Sequence, residues 1–336
     1  MMLRALFTAA ILIWQWPGHV LAQHTEMTTS EDMKIIRLGE YEVPVVAGGL
    51  YDRYRSKPPL SIIAEESPET DLSWFETLEK TQVDMGFPSW SPNFYYENSR
   101  ISMVYTAELE RLRKLMPEAV RDIVQPLQVW PGRGLVVLTA YAYHYCDNDQ
   151  YNELALSIVI QPPGKSNLGP LSLASQAWQN DYWGYVLKLP VNTELARVRG
   201  VAGYALPKWL TRIDYRESQN EVIVEMFDAE TGNRDLLIQA KKLDELSNTT
   251  QFVKNSFVNT DARGQLTSGY AVSRQLSHGS SSRADDVSLS LGDGSLATFI
   301  KSLGLGKLLK YEYVPRFQSA LYAPEPLANT DTRASL

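Results

Sequence analysis

Lys208 lies in a sequence setting that could support unusual chemistry. Its neighbours in residues 205–210 (ALPKWL) are apolar, and lysine is almost never fully buried without a compensating interaction. One interpretation is that the stem packs against protein while the ammonium group reaches water. The other is that the amine is desolvated, which lowers the pKa of a lysine and yields a neutral nucleophile that can form a Schiff base with a ketone. The local sequence allows both.

Other kinds of catalytic or binding site find little support. The four histidines and the single cysteine, Cys146, are scattered, and no pair of them has the spacing of zinc ligands. The chain has no Gly-x-Ser-x-Gly segment of the esterase type. Residues 292–294 and 304–306 are Gly-x-Gly triplets without the Lys-Ser or Lys-Thr of a phosphate loop. We therefore expect no metal and no nucleotide or organic cofactor.

The amino-acid composition limits which partners and which kinds of stabilisation are expected. The 336 residues carry a formal net charge of -7 and no clustered lysines and arginines, which disfavours a nucleic-acid partner. With 44% hydrophobic residues the chain can build a real core. Since Cys146 is the only cysteine, no intramolecular disulfide can form.

A catalytic Lys208 would have to be held in place by the secondary structure around it, and the sequence predicts mainly strands. Residues 100–105 predict a strand, and Thr106 then stands where the N-cap of a helix is expected, with Pro117 as its end. Runs rich in β-branched and aromatic residues predict further strands over residues 134–145, 151–160, 183–189, 221–227 and 236–240. Residues 278–286 are rich in serine and predict a mobile loop. The pattern favours a meandering antiparallel β domain with few helices.

Several short motifs of this sequence resemble motifs of the acetoacetate decarboxylases. Members of that family carry a Pro-Lys pair, which Pro207-Lys208 matches here. In that family the lysine forms a Schiff base with a β-keto acid, and the protonated imine accepts the electrons released with carbon dioxide. Residues 101–117 resemble the family's opening strand and helix, and Tyr151-Asn152-Glu153 resembles the strand whose glutamate lines the active site. Residues 307–322 resemble its closing segment.

The resemblance covers residues 92–323 and implies a fold. That fold is of the α+β class: a mainly antiparallel β-sheet closes into a cone or barrel, and a few helices lie outside it. Relatives tend to form oligomers, so a homo-oligomer is one expectation unless the N-terminal extension blocks those contacts.

The chain also departs from the family pattern. Trp209 stands where a second lysine usually follows the first, and of the Gly-Arg-Glu triplet before Pro-Lys only Gly200 is kept. The expected active-site arginine aligns with Asn98, although Arg100 lies two positions away on the same face of a strand. A second active-site glutamate falls near Thr139. These changes make the pocket more apolar.

The resemblance thus implies a Schiff-base-forming decarboxylase for a β-keto acid larger and more apolar than acetoacetate, as in polyketide or toxin biosynthesis. Lys208 and Glu153 would be catalytic, while Arg100 and Trp209 would bind the small-molecule keto acid or ketone. Carbonyl condensation or dehydration at the same lysine is a close variant. The alternative is a non-catalytic protein that binds an apolar ligand in the same pocket.

The N-terminus predicts export. Arg4 precedes an apolar stretch, and residues 20–22 supply small residues for cleavage, which is typical of a signal peptide over residues 1–22. The stretch is shorter than the roughly 20 residues of a membrane-spanning helix, so we expect no membrane span after its removal. Asn248-Thr249-Thr250 is a glycosylation sequon. We expect an N-terminal extension over residues 23–91, the main domain over 92–323 and a loose tail over 324–336.

Overall fold

The computed structural model describes residues 33–261 and 264–327. The predicted signal peptide lies outside the described residues, as do residues 328–336 of the predicted tail. Among the described residues, no helix combines the length and the apolar character needed to cross a bilayer.

Residues 33–91 form short elements that pack on the rest of the chain. In order they are β1 (Met33–Leu38), β2 (Tyr41–Val46), α1 (Leu50–Tyr54), α2 (Leu60–Glu66), a 3-10 helix (Phe75–Thr77), β3 (Thr81–Asp84) and β4 (Pro88–Ser91). Lys80 ties this segment to the main body because its ammonium forms a buried ion pair with Asp147 and donates to the Ser56 carbonyl at 2.7 Å. Asp147 also accepts from the Tyr96 hydroxyl at 2.8 Å.

Residues 93–261 and 264–327 contain eleven strands, five α-helices and a short 3-10 helix (Ala284–Asp286). The strands are β5 (Asn93–Glu108), β6 (Arg133–Cys146), β7 (Tyr151–Val159), β8 (Asp181–Lys188), β9 (Ile213–Glu217), β10 (Glu221–Phe227), β11 (Arg234–Lys241), β12 (Gln251–Thr260), β13 (Leu266–Ser281), β14 (Val287–Leu291) and β15 (Leu308–Pro326). The helices are α3 (Leu109–Leu115), α4 (Glu118–Arg121), α5 (Pro170–Gln179), α6 (Glu194–Tyr204) and α7 (Ser295–Ser302).

Seven strands close into a barrel in the order β12-β13-β15-β5-β6-β7-β8. All neighbours are antiparallel except β8 and β12, whose parallel pairing closes the ring. A second sheet in the order β14-β11-β10-β9 lies outside. The predicted fold class, a mainly antiparallel sheet closed into a barrel with a few peripheral helices, is therefore confirmed.

Successive side chains of each strand point alternately to the inside and to the outside of the barrel. On β7, Glu153 and Ser157 line the interior, while Leu154 and Leu156 point outward into the main hydrophobic core. That core also contains Val222 and other apolar residues of the second sheet. The outer face of the barrel is thus stabilised by burial, and the inner face is left free for a site.

Two local predictions were wrong. Helix α3 begins after Glu108, not Thr106, because β5 continues through Thr106 and its hydroxyl accepts from the Arg133 guanidinium at 3.1 Å. Residues 278–281 are not loop, because they continue β13 and pair with β15. In both cases strand pairing across the barrel overrides the local signal.

Candidate active site

Lys208 points into the barrel and meets the glutamate that the sequence predicts beside it. Its Nζ donates to Glu153 Oε2 at 2.6 Å, and only 7% and 8% of the two side chains are exposed. Both line the interior cavity. The lysine ammonium therefore does not extend to bulk water, contrary to the first interpretation of residues 205–210, and it is buried beside a carboxylate.

The chain reverses sharply to place this lysine. Helix α6 ends at Ala205, which adopts a left-handed conformation with φ of 51°, and Asn259 Nδ2 donates to the Ala205 carbonyl at 3.0 Å. The chain then runs beside Val191, whose amide donates to the Trp209 carbonyl at 3.0 Å. Val191 in turn bridges to Glu153 on β7. This short ladder sets the spacing between lysine and glutamate.

Gly200 makes room for the lysine stem. A Cβ added at this position of α6 would lie 2.2 Å from Lys208 Cδ and 2.5 Å from Cε. Any side chain here would push the lysine from its place beside Glu153. The close approach gives a physical reason for the glycine that the family resemblance singled out.

Tyrosines surround the ion pair. The Tyr143 hydroxyl donates to Glu153 Oε1 at 3.3 Å, and its ring lies 4.6 Å from both the Tyr95 and the Tyr151 rings. Burial raises the pKa of Tyr143 well above its usual value, and the charge on Glu153 adds to the shift. Tyr143 therefore stays protonated and remains a donor that holds Glu153. Lys208 Nζ lies 5.6 Å from the Tyr151 ring centroid.

Sequence reasoning did not select these tyrosines. Alternation places Tyr141 and Tyr143 on one face of a predicted strand, and that face is the inner one. The signal was present, but it did not show which face would be inside.

Arg100 also lines the cavity, as predicted, but it is already paired. The strand register places Arg100 opposite Tyr141 and Tyr141 opposite Glu153, so the three lie in one row across the inner face. The guanidinium donates to Ser102 Oγ at 2.6 Å and to Glu312 Oε2 at 3.1 Å.

Glu312 is a cavity residue that sequence reasoning missed. It forms ion pairs with Arg100 and Lys310. Burial alone would raise the pKa of Glu312, but the two cations outweigh it and lower the pKa to about 2. Glu312 is therefore a carboxylate at any pH at which the protein would be assayed.

The other predicted residues have different placements. Thr139 lines the cavity and its hydroxyl lies 3.0 Å from Ser102 Oγ. Asn98 is buried in the wall, where Nδ2 donates to the Phe317 carbonyl at 2.9 Å. Trp209 is not among the lining residues and packs against the outer core. Asn248 is exposed in the loop between β11 and β12 and is also remote from the lining.

The cavity has a volume of about 690 Å³ and receives side chains from all seven barrel strands. Its charged lining residues are three cations and two carboxylates, and so carry one net positive charge: Arg100, Lys208, Lys310, Glu153 and Glu312. Most other lining residues are apolar or aromatic. Within residues 33–261 and 264–327, no group of three or more metal-ligating side chains could hold a metal ion.

Comparison with known proteins supports the fold rather than the chemistry. No family model and no curated protein matches the sequence. Acetoacetate decarboxylase from Legionella pneumophila matches in structure at 12% identity, with a TM-score of 0.50, over 71% of this chain and 88% of its own. The enduracididine biosynthesis enzyme MppR, solved with the condensation product of pyruvate and imidazole 4-carboxaldehyde, matches at 12% identity and the same TM-score over 71% of this chain and 90% of its own. The chain is therefore a divergent protein with the acetoacetate decarboxylase-like fold.

Proposed function

We propose that this protein is an enzyme that forms a Schiff base between Lys208 and a β-keto acid and releases carbon dioxide from it. The observation that carries the proposal is the contact of 2.6 Å between Lys208 Nζ and Glu153 Oε2, formed by two buried side chains in the wall of a large cavity. A lysine held away from bulk water next to a proton acceptor is the arrangement that imine chemistry needs.

The contact provides a route for each proton. Transfer of one proton from Nζ to Glu153 Oε2 leaves a neutral amine, which attacks the ketone carbon to form a C–N bond. The nitrogen passes one of its two remaining protons to the ketone oxygen and Glu153 returns the one it accepted, so that the oxygen leaves as water and a protonated imine remains. Cleavage of the bond to the carboxylate sends its electron pair to the imine nitrogen. The resulting enamine takes a proton on carbon, and water hydrolyses the product from Lys208.

The lining charges support a monoanionic substrate. The cavity has one net positive charge, which a single carboxylate would balance. Arg100 would hold that carboxylate, and to do so it would share its guanidinium between the substrate and Glu312. The volume of about 690 Å³ lies in the range that holds drug-sized ligands, which supports a substrate larger than acetoacetate, such as a polyketide-derived acid.

A close variant is carbon–carbon bond formation at the same imine. The similar structure of MppR was solved with a condensation product bound. An enamine on Lys208 that met an aldehyde in place of a proton would follow that course. The first bond, between Nζ and a carbonyl carbon, is common to both reactions.

The test is intact-mass spectrometry after incubation with acetoacetate or a longer 3-keto acid and reduction with borohydride. We expect an adduct of ketone size on the wild type, since reduction fixes the imine, and none on Lys208→Ala. Lys188→Ala is a matched control, because Lys188 lies on β8 but does not line the cavity. Carbon dioxide release should show the same dependence on Lys208.

A second candidate function is a non-catalytic carrier of an apolar ligand. It is favoured by the pairing of the cavity charges, since Lys208 is matched by Glu153 and Arg100 by Glu312. A carrier would bind ligands reversibly and give no borohydride adduct with any ketone.

Export and glycosylation belong to the same proposal. The predicted signal peptide would place the protein in the secretory pathway, where the exposed Asn248 would accept a glycan. N-terminal sequencing of protein secreted by the natural host would begin at Gln23. Loss of mass on enzymatic deglycosylation should disappear in Asn248→Gln.

A further inference from the structure

The cavity has an apolar end remote from Lys208. Along β7 the inner face runs from Glu153 to Val159, six residues or about 20 Å of strand. The far end is formed by six apolar lining side chains that we call the tail pocket: Val104, Leu135, Val137, Val159, Leu173 and Leu309. They come from β5, β6, β7, α5 and β15.

A polar row separates the tail pocket from the lysine end. Glu312, Ser102 and Thr139 are cross-strand neighbours and lie next to the row of Arg100. Two residues further along β5 and β6, the inner face changes to Val104 and Val137. Lys310 and Ser157 lie in the same cross-strand row as these valines, but the Lys310 ammonium is paired with Glu312. The lining therefore becomes mainly apolar along the barrel.

The tail pocket has apolar surface that the protein itself does not cover. Val104, Val137, Leu173 and Leu309 pack against a buried cluster that includes Leu135 and Val159, but all four remain only partly buried. All four also line the cavity. Apolar cavity walls of this kind favour apolar ligands over water.

Helix α5 covers this end and leaves an opening beside it. Gln176 fixes the helix, since its Nε2 donates to the Ile160 carbonyl at 2.8 Å and its Oε1 accepts from the Trp183 amide at 3.0 Å. Leu173 faces the cavity, whereas Leu171 is 70% exposed. Lining residues that are also exposed mark the opening: Ala177, Asn255 and Ser280.

We propose that the tail pocket binds an unbranched or lightly branched alkyl or acyl chain of the ligand, with the chain directed toward α5. The orientation, with the carbonyl at Lys208, rests on the proposed function. Binding of the chain rests on the tail pocket alone.

The proposal predicts a dependence on chain length. Each methylene that enters the pocket should strengthen binding about fourfold. Val104 lies four residues, or about 13 Å of strand, from the row of Glu153. In a series of 2-alkanones trapped with borohydride, we therefore expect half-saturation at a concentration at least about a hundredfold lower for 2-pentadecanone, whose last carbons enter the pocket, than for acetone, whose carbons do not reach it.

The decisive variant is Leu173→Trp, which fills the pocket from α5. We expect it to abolish the chain-length dependence while acetone is trapped as in the wild type, which also shows that the barrel is folded. Leu171→Trp is the matched control on the outer face of the same helix. The proposal would be overturned if the wild type reached half-saturation at the same concentration of the short and the long ketone. It would also be overturned if Leu173→Trp left the difference between them unchanged.

A second probe separates this proposal from imine chemistry. The fluorescent apolar amine N-phenyl-1-naphthylamine should bind to wild type and to Leu171→Trp, and at least tenfold more weakly to Leu173→Trp. If no ketone is trapped but this pattern holds, the tail pocket stands and the enzymatic proposal fails. If ketones are trapped but the dye does not bind and chain length has no effect, the tail pocket fails and the enzymatic proposal stands.

Discussion

Replacing Glu153 with glutamine tests the ion pair at the centre of the proposed site. The variant keeps the size of the side chain but leaves the Lys208 ammonium without its counter-charge at 2.6 Å. Removing one partner of a buried pair costs about 3–5 kcal/mol of folding free energy. Because this pair borders a cavity, we expect the lower end, about 3 kcal/mol, measured by urea unfolding. Loss of the proton carrier should also slow imine formation about 10²- to 10⁴-fold.

A second variant separates stability from chemistry. Lys208→Met combined with Glu153→Gln removes both charges, so the double variant should regain most of the stability lost by Glu153→Gln while remaining inactive. The coupling energy from this double-mutant cycle isolates the pair. If Glu153→Gln cost less than about 1 kcal/mol and formed the acetone imine at the wild-type rate, Glu153 would be neither a buried counter-charge nor the proton carrier, and our reasoning about the site would be wrong.

Gly200→Ala should abolish the borohydride adduct because its Cβ would displace the stem of Lys208. Gly203→Ala in the same helix should keep the adduct, because its Cβ would lie nearest to Met85 and not to the lysine. Equal activity of the two variants would contradict the steric argument. Burial raises the pKa of Asp149 from 3.8 to about 6, so the folded state keeps a proton that the unfolded state loses between those values. The free energy of unfolding should therefore fall by about 2 kcal/mol as pH rises from 4 to 7. Asp149→Asn should lose this decrease in urea unfolding at the two pH values, and an unchanged pH dependence would show that another group causes it. Glu312→Gln removes a negative charge from the cavity lining and so raises its net positive charge by one, which is worth about 1–3 kcal/mol to a bound anion. The variant should therefore bind a 3-keto acid roughly tenfold more tightly, relative to a neutral ketone. Equal tightening for both ligands would contradict the charge argument.

Part of the barrel and part of the second sheet could be predicted because several of their strands carry strong local patterns. The five strands predicted over residues 134–240 agree with β6, β7, β8, β10 and β11 to within two residues at each end. Each combines β-branched and aromatic residues with clear turn signals. Thr106 shows the limit of such signals, since a good N-cap residue was outweighed by continued pairing of β5.

The pairing of Lys208 with Glu153 could be predicted for a different reason. Lys208 and Glu153 lie 55 positions apart, and it was the match of two short motifs to a known family that joined them. Burial and the contact of 2.6 Å then followed from the ladder through Val191.

Residues without a motif match could not be joined from the sequence. Arg100 and Glu312 are 212 positions apart and meet only because β15 pairs with β5 when the barrel closes. Lys80 is similar, since its segment is polar and weakly patterned and yet it is held by a buried ion pair with Asp147. Such contacts depend on topology, for which local sequence carries no signal.

The departures from the family pattern can now be placed in the barrel. Trp209 packs on the outside, so the loss of a second lysine there removes a charge without filling the cavity. Thr139 lies in the cross-strand row that contains Glu312, so a carboxylate stands in that row on a different strand. Lys208, its carboxylate partner and one net positive charge are present in the cavity, while the lining beyond that row is mainly apolar. Under the proposed function, these changes keep the groups that imine chemistry needs and alter the part of the cavity that would select the rest of the ligand.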